Sequence, residues 1–162
     1  MPGSGTRADG RRLTHGNAMT DETTPSPCCE SGCVFAKALL TRSAVCELAQ
    51  RRALAERDVI DCTSPVARMN CTTLAALLHE RARFALHLAR PGQPLLHVHA
   101  VRLQCGGLLG VQQALGAARP DVHQLIGAAH ARFGSLTELP WASIVQSLSQ
   151  WRPHRPRRMA QP

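Results

Sequence analysis

Five cysteines, Cys33, Cys46, Cys62, Cys71 and Cys105, run along the chain as C-x12-C-x15-C-x8-C-x33-C, with Cys28 and Cys29 in a local cluster just ahead of them. No C-x2-C knuckle occurs, so the short-range pairing typical of structural zinc modules is missing and any shared site must be assembled by distant elements. A fold that uses these thiols together has to bring residues 33 to 105 to one place. A fold that does not use them leaves them as small buried hydrophobes.

The remaining composition narrows the class. Of 162 residues 44% are apolar, enough for one globular domain and little for two. No run approaches the roughly 20 apolar residues of a membrane helix; the longest, at 33–40, is broken by Lys37. Arg7, Arg11 and Arg12 are followed by no apolar segment, so the N-terminus reads as lacking a secretory signal and the expected setting is cytoplasmic and reducing. Met19, ahead of TDETTPSP, reads as an alternative start to Met1.

The formal charge of +8 at first suggests nucleic acid. Its distribution weakens that suggestion. Residues 1–27 are balanced, and Arg152, Arg155, Arg157 and Arg158 carry half of the excess at the C-terminal end. Arginine outnumbers lysine 18 to one, which fits a GC-rich coding bias without any phosphate partner. A weak nucleic-acid contact through this Arg-rich tail stays open.

Residues 1–27 have almost nothing to bury and are expected to be disordered. The stretch 33–57 contains no Gly or Pro, and Phe35, Leu39, Cys46, Ala49 and Ala53 fall on one line at helical spacing, so it predicts a long amphipathic helix. An irregular connection, DVIDCTSPVARMNC, follows. A second helix is expected over 70–89 with Asn70 as N-cap. Residues 94–104 alternate at Val98 and Val101 in a way a strand would also allow, but Pro94 favours a helix start. Cys105-Gly106-Gly107 would break that helix, with another at 108–118. Further helices are expected from Pro120-Asp121 to Phe133, closed by Gly134, and from Pro140 onward. The expected architecture is all-α: a single bundle of five to six helices at 28–151, with a disordered basic tail at 152–162.

On that layout the cysteines take positions that suit ligands. Cys62 and Cys71 fall in or beside a long connection, of the kind that in compact domains usually serves a purpose. Cys71, just after the Asn70 cap, would sit where a helix dipole favours thiolate. Cys105 precedes two glycines that let backbone approach a bulky inorganic group. Cys33 and Cys46 on one helix would point ~140° apart and lie ~20 Å from each other along the axis. Cys46 therefore joins Cys62, Cys71 and Cys105 as the expected ligand set, and Cys33 is the alternative ligand only if the helix begins after it. Four dispersed thiolates suit an iron–sulfur cluster of the [4Fe–4S] type better than zinc, which stays the alternative cofactor.

Other chemistry finds less support. His79 and His87 lie about 12 Å apart along a helix, His97 and His99 converge only on a strand, and His123 and His130 read as surface residues. The acids Glu47, Glu56, Asp58, Asp61 and Glu80 form no catalytic pair, and no phosphate-binding, nucleophile-elbow or zinc-protease motif occurs. The expectation is a small non-enzymatic iron–sulfur protein acting as redox accessory, sensor or electron carrier with a protein redox partner and no membrane contact. The alternative is a helical nucleic-acid-associated regulatory or zinc-binding module using Arg51, Arg52, Arg57, Arg81 and Arg83.

Overall fold

The computed structural model describes residues 32–90 and 93–153. The expected disordered tail at 1–27, most of the basic tail at 152–162, and both Cys28 and Cys29 lie outside them. Element order is α1 (Ala36–Leu40), β1 (Ala49–Leu54), β2 (Arg57–Cys62), α2 (Pro65–Ala82), α3 (His97–Leu115), α4 (Val122–Phe133), a 3-10 turn (Leu136–Glu138) and α5 (Trp141–Gln150).

The all-α expectation is overturned at 33–57, where the predicted long helix is a single short helix followed by a β-hairpin. Helix α1 stops because Thr41 turns its hydroxyl back onto the Lys37 carbonyl at 2.9 Å and Arg42 enters the left-handed region at φ 58°. The hairpin then pairs β1 with β2 antiparallel, Ala49 opposite Cys62 and Leu54 opposite Arg57. The residues of β1 favour helix in isolation, but β2 carries β-branched Val59 and Ile60, and Ile60 is buried against α1. Tertiary packing decides the outcome over local propensity. Two diagonal ion pairs, Arg51 with Asp58 at 3.6 Å and Arg52 with Asp61, tie the strands on either side.

Helices α2 and α3 also differ from expectation in their bounds, and α3 starts at His97 with Leu96 as N-cap instead of opening at Pro94 as expected. Helix α2 starts at Pro65 with Ser64 as N-cap, its hydroxyl accepting from the Ala67 N–H at 3.2 Å, so Asn70 lies within the helix. It ends at Ala82 instead of continuing to 89. Helix α3 runs unbroken through Cys105-Gly106-Gly107, merging the two pieces expected at 94–104 and 108–118. Helices α4 and α5 begin and end as anticipated, with Asp121 capping α4 and Gly134 following it at φ 77°.

The reason α3 tolerates its glycines is packing. A Cβ on Gly106 would stand 2.9 Å from the Trp151 Cβ, and one on Gly110 would stand 3.0 Å from the Ile144 carbonyl oxygen. The backbones of α3 and α5 therefore approach more closely than side chains would permit. Arg102 reinforces the pair by donating from Nε to the Leu148 carbonyl at 3.2 Å and from its guanidinium to the Ser149 carbonyl. Helix α3 also touches α1, α2 and α4, making it the hub of a core built on Phe35, Leu74, Leu78, Leu108, Leu125 and Ile144. No described helix is long and apolar enough to cross a membrane.

Candidate metal centre

The hairpin, α1's leading segment and α2 meet at one narrow cavity of about 10 Å³, room for one water-sized body, and Cys33, Cys46, Cys62 and Cys71 all line it. Arg68 and His123 line it as well.

Each thiol is carried by a different segment of the chain, Cys62 by β2, Cys71 by α2, and Cys33 and Cys46 by the segments before α1 and β1. Cys33 lies before α1; its N–H donates to the Ile60 carbonyl at 2.8 Å, and Gly32 bridges Asp61, so this segment runs antiparallel along β2. The Gln104 side chain of α3 holds the same segment from the other side. Its Oε1 accepts from the Lys37 and Ala38 N–H groups at 2.9 and 3.2 Å, and its Nε2 donates to the Val34 carbonyl at 2.9 Å. These are the orphan donors of a helix start, satisfied here by a distant side chain.

Cys46 is held between two neighbours that zip onto the start of α4. Val45 N–H donates to the Pro120 carbonyl at 3.1 Å and Val122 N–H returns to the Val45 carbonyl at 2.9 Å. Glu47 N–H donates to the buried Asp121 carboxylate at 3.1 Å, while the other carboxylate oxygen of Asp121 caps α4 through Gln124 N–H. Cys62 closes β2, next to Thr63, whose N–H donates to the Leu48 carbonyl at 3.0 Å; its own thiol donates to the Ser64 carbonyl at 3.3 Å. Cys71 projects from the second turn of α2 and is buried.

The electrostatics are those of four thiols in shared, partly dry space. Burial pushes the Cys71 thiol up to about 12, and the neighbouring Cys33, Cys46 and Cys62 push in the same direction. Burial also raises Cys33 and Cys46. Against this, the Phe35 N–H is directed at the Cys33 sulfur, and the Leu48 and His123 N–H groups at Cys46, donors that favour thiolate. Arg68, fixed by a 3.0 Å hydrogen bond from its Nε to the Gly32 carbonyl, acts on Cys33 in the same sense.

Of the ligand set expected from sequence, Cys46, Cys62 and Cys71 come together and Cys105 does not. Cys105 is buried on α3 with its sulfur 3.5 Å from the Thr41 hydroxyl, outside the cavity. Cys33 takes the fourth place, because α1 begins at Ala36 and the two cysteines do not share a helix. The expected dipole effect at Cys71 is likewise replaced by burial, since the helix starts six residues earlier. Among the described residues no group of three or more His, Cys, Asp or Glu side chains is closed around a point that could hold a single ion.

Arg68 is a cavity residue that the sequence did not single out, and His123, read from the sequence as a surface residue, lines the cavity as well. His123 is indeed half-exposed, but its Nδ1 lies 2.6 Å from the Glu47 carboxylate, a contact between residues 76 apart that no local pattern announces. His97 and His99 lie in the first turn of α3, on helix. Of the arginines considered for nucleic acid, Arg51 and Arg52 are paired with acids, Arg81 stands over the Trp141 ring and Arg83 over the Phe84 ring. No family model, curated protein or solved structure matches the chain.

Proposed function

We propose that the protein binds an iron–sulfur cluster, of the [4Fe–4S] type, through Cys33, Cys46, Cys62 and Cys71, and serves as a redox accessory, sensor or electron carrier. The observation that carries this reading is the meeting of four thiols from four separate chain segments, two of them outside helices and strands, at one cavity. Thiolates supplied singly, without a C-x2-C knuckle, suit a larger inorganic core better than a single tetrahedral ion. The N–H groups of Phe35, Leu48 and His123 supply the sulfur-directed donors that tune such centres. Seating a cluster would require this cavity of about 10 Å³ to open. Cys33 and Cys46 lie outside helices and strands and Cys62 ends a strand, positions that yield more readily than the middle of a helix.

The test is anaerobic reconstitution of the full chain with ferrous iron and sulfide. The expected product is brown, absorbs broadly near ~400 nm and contains iron and sulfide. Cys33→Ser, Cys46→Ser, Cys62→Ser and Cys71→Ser each lose or destabilise the chromophore, whereas Cys105→Ser retains it. A colourless protein that binds one zinc through the same four residues replaces the cluster with a zinc module. Loss of the chromophore in Cys105→Ser but not in Cys33→Ser restores the ligand set expected from sequence and refutes this one.

A further inference from the structure

Arg68 is placed on α2 one turn before Cys71, lines the thiol cavity, and is anchored at its Nε by the Gly32 carbonyl at 3.0 Å, next to Cys33. We infer that Arg68 is a positioning residue of electrostatic kind, whose fixed charge sets the reduction potential of the centre. The inference rests on the cluster reading above.

The physical basis is charge accumulation. Four thiolates around a [4Fe–4S] core give an overall charge of about −2, which becomes about −3 when the core accepts one electron. In that step no bond to the protein forms or breaks; a one-electron donor of low potential is oxidised and the electron resides on the core. A nearby guanidinium, which stays protonated at all working pH values, favours the more negative state and so raises the potential. The other ionisable groups around the cavity act differently. Asp121 faces Cys46 from α4 and opposes added negative charge there, and His123 is engaged with Glu47. Arg68 is the permanent cation among the described residues lining the cavity.

The geometry also separates charge from scaffolding. The Gly32 hydrogen bond uses one donor of a side chain that has five, and a lysine at the same place keeps the charge while losing the planar fork. The experiment is a dithionite titration of reconstituted full-length protein, followed by optical and EPR signals, for wild type, Arg68→Lys, Arg68→Met and Arg68→Gln. Poised at the wild-type midpoint, the Met and Gln variants are expected to show about a tenfold lower ratio of reduced to oxidised cluster, equivalent to ~59 mV for a one-electron couple. Arg68→Lys is expected to stay near wild type. Failure of the two uncharged variants to assemble a cluster that Arg68→Lys assembles overturns the inference, since the charge would then act on assembly and not on the potential.

Unshifted potentials in the Met and Gln variants overturn the inference while leaving the cluster reading intact. A shift in Arg68→Lys as large as in Arg68→Met overturns it too, since geometry would then be the cause. Absence of any cluster in wild type removes both readings.

Discussion

Ala55 shows how a single residue concealed the hairpin. It occupies the first position of the two-residue connection between Leu54 and Arg57 and adopts φ 53°, where a type II′ turn normally carries glycine. Without Gly or Asn there, residues 33–57 read as one helix and DVID as the start of an irregular connection. The alanine is strained, because its Cβ meets the carbonyl in left-handed backbone. Ala55→Gly is therefore expected to stabilise the protein by about 1 kcal/mol, raising the thermal midpoint by roughly 3 °C. Differential scanning calorimetry checks this, and an unchanged or lowered midpoint contradicts the turn assignment. Asp121 is the opposite case, one side chain performing two tasks. Its carboxylate caps α4 and holds Glu47 N–H, so Asp121→Ala should cost about 2 kcal/mol and also loosen Cys46. Chemical denaturation gives the first effect; faster chelator extraction of iron from the loaded variant gives the second.

Between elements, the contacts that matter are close approaches a sequence cannot display. Gly110 of α3 faces the Ile144 backbone of α5, so Gly110→Ala forces backbone against backbone and is expected to destabilise by about 1–3 kcal/mol. Gly107→Ala meets the methyls of the buried Leu78 side chain and no backbone atom, and should cost less. Urea midpoints of the two variants test the ordering. These glycines explain why the helix content of the C-terminal half was legible while its continuity was not. Asp121, Gly134 and Pro140 are local signals that mark α4 and α5 whatever surrounds them. Gly106-Gly107 is a local signal for a break, and only the neighbouring helices reveal that it serves packing. The candidate site divides in the same way. The interest of Cys46, Cys62 and Cys71 was readable from spacing, but the exclusion of Cys33 depended on a helix that stops at Leu40. Gln104, three bonds to residues 34–38, is invisible without the fold. Gln104→Leu would leave those donors and the Val34 carbonyl unsatisfied.

For the molecule as a whole, the proposed cluster would couple protonation, binding and folding at the thiol cavity. Cys71 keeps its proton up to about 12 in the folded state, against an ordinary value of 9.0, because burial and neighbouring thiols oppose its charge. A thiol whose folded value is raised contributes stability that is fully present below pH 9 and is lost as pH climbs toward about 12, since the unfolded chain releases the proton first. The metal-free protein should therefore weaken progressively above pH 9, and Cys71→Ala should show a flatter decline in the same range. Loading reverses the balance. A cationic core requires four thiolates, so binding near pH 7 should release about four protons, and affinity should fall as the solution is acidified. Calorimetric titration in buffers of different ionisation enthalpy counts those protons directly. Because Cys33, Cys46, Cys62 and Cys71 come from four separate chain segments, loading should also raise the cooperativity and midpoint of unfolding, as expected for any ligand that binds only the folded chain. A loaded protein that releases no protons and unfolds at the metal-free midpoint would place its iron somewhere other than this cavity.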